Sequence, residues 1–163
     1  MGFLEIFIVN NIIIIILILL IVGYGFYIRN RLFALWHEVS RLELIFNKKL
    51  LDTMKLYLKK EQLLEGFPFY KSLQIIAGQE NIKFRHIKLE ERQKIFKTLQ
   101  KIFGDIYHND NPDCKPLKTQ FESLQMTRLK YNSKVLLYNQ KIHTFPTKFF
   151  AKKMRFLPKQ YFG

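Results

Sequence analysis

Residues 12–22 read Ile-Ile-Ile-Ile-Ile-Leu-Ile-Leu-Leu-Ile-Val, an unbroken run of eleven apolar side chains near the start of the chain. The stretch around it, residues 6–28, carries no charged side chain. A helix of that length rises about 34 Å, enough to cross a hydrocarbon core of roughly 30 Å. A core helix of a soluble protein would show a polar face within its turns, and this one shows none. The sequence therefore predicts a membrane span that includes Ile6, Ile12, Ile16, Leu20 and Ile28.

A cleaved signal peptide is the main alternative for this segment. Signal peptides combine a basic N-terminal region, an apolar run and a small-x-small cleavage site. Residues 1–11 contain no Lys or Arg, and no Ala-x-Ala pattern follows the run. Tyr24, Tyr27 and Arg29 instead match an interfacial aromatic belt followed by a headgroup anchor. We therefore expect residues 1–28 to form an uncleaved membrane anchor.

The charges on the two sides of the span predict its orientation. The only charge before the run is Glu5, whereas Arg29, Arg31 and Arg41 follow it closely, with Lys48 and Lys49 next. Because basic residues near a span stay on the cytoplasmic side, the N-terminus is expected outside and residues 29–163 in the cytoplasm.

The chain as a whole is strongly basic, with 27 Lys and Arg, 13 Asp and Glu, and a formal net charge of +14. Every basic residue follows Ile28, and together they are spread over all the predicted helices. A nucleic-acid interface would need a concentrated patch with interleaved aromatic residues or a recognisable motif, so this distribution disfavours nucleic acid. Each basic residue held near an anionic membrane surface contributes about 1 kcal/mol of attraction, which suits a tethered basic domain.

Few residues in the chain point to chemistry. Cys114 is the single cysteine, which excludes an intramolecular disulfide and a cysteine-based zinc site. The polar loop around it offers Asp105, His108, Asp110 and Asp113 as candidate ligands but lacks the glycine and final glutamate of a calcium loop. We therefore expect a solvated turn there, and neither an enzyme nor a bound metal or cofactor.

Apolar periodicity predicts an all-α chain, and apolar residues at positions 32, 35, 39, 42, 46, 50, 54 and 57 form one stripe on the first long helix. Residues 31–64 contain no Gly or Pro, so the membrane helix is expected to continue into a first long helix that ends at residues 65–68, Glu-Gly-Phe-Pro. Within residues 69–86 a short helical stretch is expected around Tyr70 to Ile76, interrupted at Gly78. A helix over residues 88–106 is expected next, with Ile95, Leu99, Ile102 and Ile106 on one side. The predicted architecture is an antiparallel bundle of three to four helices on a membrane stalk.

The last long helix carries a regular heptad seam. Its members are separated alternately by four and three residues, which favours coiled-coil-like packing against other helices. The seam consists of Leu117, Phe121, Leu124, Arg128, Tyr131, Val135, Tyr138, Ile142 and Phe145, and Pro146 is expected to stop the helix.

Arg128 is the one charge on this seam. An unpaired buried guanidinium is strongly destabilising, so a partner is expected. Glu38 and Glu43 lie on or beside the apolar stripe of the first long helix, which runs antiparallel in a bundle. We expect Arg128 to pair with one of them and to fix the register of the two helices.

Two blocks of the sequence resemble the LemA family of bacterial single-pass membrane proteins. The first is a juxtamembrane Arg29-Asn30-Arg31 with Trp36 seven residues after Arg29. The second block contains Tyr131-Asn132, Tyr138-Asn139, Phe145-Pro146 and a closing Pro158-Lys159-Gln160-Tyr161-Phe162. The resemblance implies a long first helix continuous with the span, a cytoplasmic helical bundle at the bacterial inner membrane, and no established catalytic activity.

The two Tyr-Asn pairs allow two interpretations. In the structural one, the Tyr rings lie on the seam and the Asn side chains bond across to a neighbouring helix. In the functional one, two identical dipeptides seven residues apart present a repeated polar and aromatic face to a partner. The structural interpretation is favoured, and Trp36 is likewise expected to be a core or interfacial residue rather than a docking hot spot.

The sequence predicts three segments: the anchor, a bundle over residues 29–146, and a basic aromatic tail over residues 147–163. The tail is either a poorly ordered end or a segment on the inner leaflet, with Phe149, Phe150 and Phe156 inserted and its lysines on lipid headgroups.

Two functions follow from these segments. One is a membrane-tethered scaffold or adaptor that presents the bundle to another envelope protein. The other is a peripheral membrane-organising protein that binds anionic lipid through its basic surface and tail. Self-association stays open.

Overall fold

The computed structural model describes residues 2–78 and 88–163, apart from the side chains of residues 3–6 and 9. All regular structure in this part of the chain is helical, which confirms the all-α prediction. The elements are α1 (Phe3–Lys59), α2 (Glu61–Leu64), α3 (Pro68–Gly78), α4 (Leu89–Tyr107), a 3₁₀ turn (Pro112–Cys114), α5 (Lys115–His143) and α6 (Thr147–Lys153).

The first helix continues from the apolar run without a break, as the missing Gly and Pro after residue 28 predicted. It ends at Lys59, earlier than expected, because Lys60 leaves the helical region with φ −99° and ψ 38°. The Lys60 N–H instead bonds the Tyr57 carbonyl at 3.2 Å, which tightens the last turn. Lysine has a good helix propensity, so the sequence contains no signal for this break.

The apolar run lies on the surface of the described structure. The side chains from Ile12 to Val22 are each 48–64% exposed, where a soluble core helix would bury them. Within the described residues one helix is long and apolar enough to cross a membrane, the part of α1 from Asn10 onward. These features suggest a membrane anchor.

The chain divides into two compact units. Unit 1 comprises residues 1–38 and 135–159, and unit 2 comprises residues 39–134 and 160–163.

In unit 2, α1 and α5 run antiparallel. Three hydrogen bonds follow this register: from Lys49 Nζ to Ser123 Oγ, from Gln120 Nε2 to Thr53 Oγ1 at 3.3 Å, and from the Tyr57 hydroxyl to the Leu117 carbonyl at 3.2 Å. The α1 residue number rises as the α5 number falls. The antiparallel arrangement expected for a bundle is therefore present in this unit.

The helix α4 completes the core of unit 2 through aromatic contacts. The Phe96 ring centroid lies 6.3 Å from that of Phe46 on α1 and 5.8 Å from that of Phe121 on α5. On the same α4 face Ile95, Leu99, Ile102 and Ile106 are buried, as their spacing predicted. At the start of the helix the Glu91 carboxylate accepts the Lys88 N–H at 3.3 Å, which satisfies one unpaired donor.

Two short segments differ from the predictions. Pro68, expected to end a helix, instead opens α3, where its missing N–H removes no helical hydrogen bond. Cys114, expected in a solvated turn, is a buried free thiol in the 3₁₀ turn that the Asn111 side chain caps through the Asp113 N–H at 2.9 Å. The short helical stretch predicted around Tyr70 to Ile76 is present as α3, which ends at Gly78 where the interruption was predicted, and residues 79–86 of the predicted range lie outside the described residues.

The heptad seam of α5 is buried over most of its length. Leu117, Phe121, Leu124, Tyr131, Val135, Tyr138 and Ile142 are all buried, whereas Arg128 is half-buried. Phe145 is 86% exposed, so its assignment to the seam was wrong. The helix ends at His143, three residues before Pro146. Proline disfavours helical geometry in the residue before it, which here is Phe145.

The tail consists of a helix and a following segment that packs on α5. The helix α6 ends in a Schellman motif, with Phe156 N–H bonded to the Ala151 carbonyl at 3.0 Å and Arg155 N–H to the Lys152 carbonyl at 3.2 Å. Arg155 takes a left-handed backbone with φ 57°. Residues 156–162, called the C-terminal strap below, follow without regular structure.

Candidate functional site

The Tyr-Asn pair at positions 138 and 139 contacts the strap in unit 1. The Asn139 side chain forms two hydrogen bonds to Lys159: its Nδ2 donates to the Lys159 carbonyl at 2.8 Å, and its Oδ1 accepts the Lys159 N–H at 2.9 Å. The Tyr138 hydroxyl donates to the Leu157 carbonyl at 2.9 Å. The pair therefore holds the strap through its backbone.

The same arrangement recurs in unit 2. Asn132 Nδ2 donates to the Phe162 carbonyl at 2.8 Å, and Asn132 Oδ1 accepts the Phe162 N–H at 2.9 Å. The Tyr131 hydroxyl donates to the Gln160 carbonyl at 2.8 Å. Each amide side chain thus pairs with both backbone groups of one residue, as a neighbouring strand would in a sheet.

The heptad spacing explains why the two pairs repeat. Asn132 and Asn139 are seven positions apart, about 10.5 Å along a helix. Their partners Phe162 and Lys159 are three positions apart, about 10 Å of extended chain. A repeat of seven positions in α5 therefore pairs with a repeat of three positions in the strap.

This result corrects the predicted partner of the Tyr-Asn pairs. The Tyr rings are buried on the seam, as the structural interpretation required. Their hydroxyls and the Asn amides bond the strap backbone rather than a neighbouring helix. The interpretation of the tail as a poorly ordered end is also wrong for residues 157–162, because α5 holds them in place.

An aromatic pocket in unit 2 holds the end of the strap. The Phe162 side chain is 1% exposed, with its ring centroid 4.3 Å from that of Phe46 and 5.6 Å, edge-on, from that of Phe96. Tyr161 points outward and is exposed. Sequence reasoning assigned Phe46 to the apolar stripe of the first long helix and missed Phe96, which adjoins the predicted stripe residue Ile95.

Burial changes the acidity of the tyrosines that hold the strap. Desolvation, followed by the negative charge of Glu43, raises the pKa of Tyr131 to about 12, while Arg92 acts in the opposite direction. Burial also raises the pKa of Tyr138. Both phenols are therefore neutral donors at ordinary pH, which the hydrogen bonds to strap carbonyls require.

Arg128 lies against the aromatic pocket. Its guanidinium carbon is 4.9 Å from the Phe96 ring centroid, within cation–π range. Its Nε is buried without a hydrogen-bond partner. The cation is thus stabilised in part by a ring face.

The expected partner Glu43 binds a different arginine. Arg92 Nη1 lies 3.4 Å from the Glu43 carboxylate and donates to Asn47 Oδ1 at 2.8 Å. The predicted pairing of Arg128 with Glu43 was therefore wrong. A pairing of Arg128 with Glu38 stays a prediction.

Trp36 in unit 1 is half-buried, and its ring stacks on Phe33 at 6.1 Å and meets His37 edge-on at 5.1 Å. The Lys159 ammonium lies 5.4 Å from the Trp36 ring centroid. The residue that Asn139 holds by its backbone therefore contacts the juxtamembrane tryptophan with its side chain.

The end of the predicted span packs against α6 in unit 1. Phe150 meets the ring of Tyr24 edge-on at 6.2 Å, and its Cε1 lies 3.1 Å from the position that a Cβ on Gly25 would occupy. Ile28, the last predicted span residue, is 4% exposed and so faces protein. Three further predicted span residues are exposed: Ile12, Ile16 and Leu20. The side chain of Ile6 is not among those that the structure describes.

Within residues 2–78 and 88–163, no group of three or more His, Cys, Asp or Glu side chains is placed to hold a metal ion. The expectation of a protein without catalytic activity or cofactor stays a prediction.

The segment from the 3₁₀ turn to the end of the strap is the part of the chain with a family match. Residues 114–163 match the model of the LemA family. The match contains α5, both Tyr-Asn pairs, α6 and the strap, so the resemblance is confirmed over this segment. No curated protein and no solved structure matches the chain. The juxtamembrane block with Trp36 lies outside the LemA-matching segment.

Proposed function

We propose that the chain is a non-enzymatic, membrane-anchored scaffold or adaptor of the LemA type. The observation that carries the proposal is the construction of α1, in which one helix contains the exposed apolar run and also forms part of the core of unit 2. A helix that links a lipid-facing segment to a packed helical unit keeps that unit at the membrane. The LemA match supports the assignment at the level of the family.

In this proposal the N-terminus lies outside and the bundle lies in the cytoplasm at the bacterial inner membrane. The absence of Lys and Arg before Asn10 and the basic residues after Ile28 support this orientation.

The exposed apolar side chains of unit 2 are the proposed contact surface for an envelope protein. Met126 and Leu129 on α5 are both exposed and, three positions apart, lie on the same helix face. Leu44 on α1 is a further exposed apolar residue of this unit. Exposed apolar side chains that adjoin one another, as Met126 and Leu129 do, mark contact points for a partner.

The test is site-specific photo-crosslinking in native membranes with the reactive group at Met126 or, in separate variants, at Leu44 or Leu129. We expect a discrete adduct that Leu129→Glu abolishes and that Lys71→Glu, a change at an exposed position of α3, leaves intact. Adducts that ignore Leu129→Glu, or none at positions 44, 126 and 129, would contradict the adaptor function.

A further inference from the structure

The helix α6 has two chemically different faces. One face is half-buried or buried and consists of residues spaced by three or four positions: Thr147, Phe150, Ala151 and Met154. The other face is exposed and combines aromatic with basic side chains: Phe145 just before the helix, then Lys148, Phe149, Lys152 and Lys153. The exposed face is called the basic–aromatic face below.

The inward face fixes α6 to the end of the apolar segment of α1. Phe150 contacts Gly25 closely and meets the Tyr24 ring. Because glycine has no side chain, the Phe150 ring can approach the α1 backbone at this point. The contact places α6 at the level of residues 24–25 of α1.

Those residues lie where the predicted span ends. The rings of Tyr24 and Tyr27 stack with centroids 6.3 Å apart, and Arg31 Nη1 donates to the Tyr27 hydroxyl at 3.1 Å. Tyrosine rings followed by arginine are typical of the boundary between hydrocarbon and headgroups. A helix packed beside Gly25 therefore lies at the depth of the headgroup region when α1 crosses a membrane.

The basic–aromatic face has the composition that such a depth requires. Phe149 is 66% exposed, although a phenyl ring gains free energy by leaving water. The three lysines on the same face carry flexible apolar stems that let their ammonium groups reach headgroup phosphates while the rings enter the acyl region. Positive charge on all three complements an anionic surface.

A cleft of about 210 Å³ in the same unit adds two further cations. Arg31 and Lys141 line it together with Tyr24, Tyr27 and Thr147. Aromatic walls and cationic side chains are thus present both on α6 and beside its first residue.

We propose that α6 is an interfacial helix that binds anionic phospholipid headgroups, with Phe145 and Phe149 inserted among the acyl chains and Lys148, Lys152 and Lys153 on the phosphates. The proposal rests on the membrane anchoring stated under the proposed function. It adds a second, lipid-specific attachment next to the span.

The test uses the full chain reconstituted in vesicles, with a fluorescent reporter on α6. Phe149→Trp is made together with Trp36→Phe, so that the emission comes from position 149 alone. Vesicles of phosphatidylcholine, and of phosphatidylcholine with phosphatidylglycerol, are prepared with and without bromine on the acyl chains. Bromine quenches a tryptophan that enters the acyl region.

We expect bromine to quench about half or more of the emission in vesicles with phosphatidylglycerol, and less in phosphatidylcholine alone. Replacing Lys148, Lys152 and Lys153 by Gln should weaken the docking equilibrium about a hundredfold and reduce quenching to the phosphatidylcholine level. The matched control replaces Lys71, Lys115 and Lys130, three exposed lysines outside α6, and should leave quenching unchanged.

Equal quenching in both lipids would overturn the anionic preference, and no quenching in either would show that position 149 does not enter the acyl region. Alkaline carbonate extraction separates these results from a failure of anchoring. A chain that resists extraction without quenching contradicts only the α6 proposal, whereas a chain released by carbonate contradicts the anchor and the α6 proposal together.

Discussion

Asn132 and Asn139 act as substitutes for an edge strand. An asparagine amide has one acceptor oxygen and two donor hydrogens, which is enough to satisfy both backbone groups of one extended residue. Phe162 and Lys159 each receive this pair of bonds. Leaving a buried backbone group unpaired costs about 1–3 kcal/mol, so the strap depends on these amides.

We expect Asn132→Ala and Asn139→Ala each to loosen the strap without unfolding α5. With about 1.4 kcal/mol or more lost locally, the Phe162 and Lys159 amides should exchange hydrogen at least about tenfold faster. The measurement is hydrogen exchange by mass spectrometry on the full chain in detergent.

Gln140→Ala is the matched control, because Gln140 is an exposed amide on the same helix next to Asn139. It should leave strap exchange unchanged. Equal protection in the Asn variants and in the unsubstituted chain would show that the two Asn amides do not hold the strap.

The pKa of Tyr131 predicts how stability depends on alkaline pH. An unfolded tyrosine ionises near pH 10, and in the folded chain the pKa of Tyr131 is about 12. The neutral phenol is therefore favoured by folding: its contribution is complete below pH 10 and is lost as the pH rises through 12. Over that interval the contribution amounts to about 2–3 kcal/mol.

Denaturant unfolding at pH 8 to 12 measures this dependence. Tyr131→Phe should be less stable at pH 8, because the bond to the Gln160 carbonyl is lost, yet should lose less stability between pH 10 and 12. An identical pH slope in both proteins would show that Tyr131 ionises as an ordinary tyrosine.

Arg128 contacts the aromatic face of Phe96, whereas Glu43 of α1 pairs with Arg92. We expect a double-mutant cycle between Arg128→Met and Phe96→Leu to give a coupling of about 0.5–2 kcal/mol. The cycle between Arg128→Met and Glu43→Gln is the control and should give a coupling near zero, since Glu43 pairs with Arg92. The reverse pattern would restore the ion pair expected from the sequence.

At the level of the elements, the join between α6 and the strap carries local strain. Arg155 has φ 57°, a left-handed conformation that costs a residue with a Cβ about 1–2 kcal/mol and that glycine adopts freely. The Schellman bonds at residues 155 and 156 require this geometry to turn the chain from α6 towards α5.

Arg155→Gly should therefore raise the free energy of unfolding by up to about 1 kcal/mol, and Arg155→Val should lower it by a similar amount or more, because β-branching worsens the left-handed clash. Thermal and urea unfolding of the full chain in detergent measure both effects. Lys153→Gly, within α6, is the control and should destabilise.

Periodicity predicted the helices well and the ends of the chain poorly. The apolar seam residues from Leu117 to Ile142 and the α4 face around Leu99 are buried, because repeated apolar spacing fixes which face packs. The strap has no period of its own, and its position depends on side chains far away in sequence. The Tyr-Asn repeat was the one sequence signal for the position of the strap. Its pairing with Lys159 and Phe162 is evident only from the folded structure.

The burial of Cys114 and the exposure of Phe145 show the same limit. Both residues lie at helix ends, where a change of one or two residues in the boundary moves a side chain between core and solvent. The polar residues around Cys114 predicted a solvated loop, although the 3₁₀ turn directs its thiol inward.

For the whole molecule, the orientation in the membrane decides which compartment contains the bundle. The charge asymmetry about α1 favours an N-terminus outside, because basic juxtamembrane residues stay in the cytoplasm. Cys114 is buried and so cannot report on this orientation by thiol labelling. An exposed cysteine on either side of the span is needed instead.

Two variants provide that pair in a Cys114→Ala background: Gly2→Cys before the apolar run and Ser133→Cys at an exposed position of α5. A membrane-impermeant maleimide applied to intact cells should label the Gly2→Cys variant and leave the Ser133→Cys variant unlabelled. Both should react after lysis, which controls for the accessibility of each thiol. Labelling of Ser133→Cys in intact cells would show the opposite orientation. It would also contradict the expectation that Lys148, Lys152 and Lys153 contact the cytoplasmic leaflet. The anionic lipids of that leaflet attract each basic residue by about 1 kcal/mol.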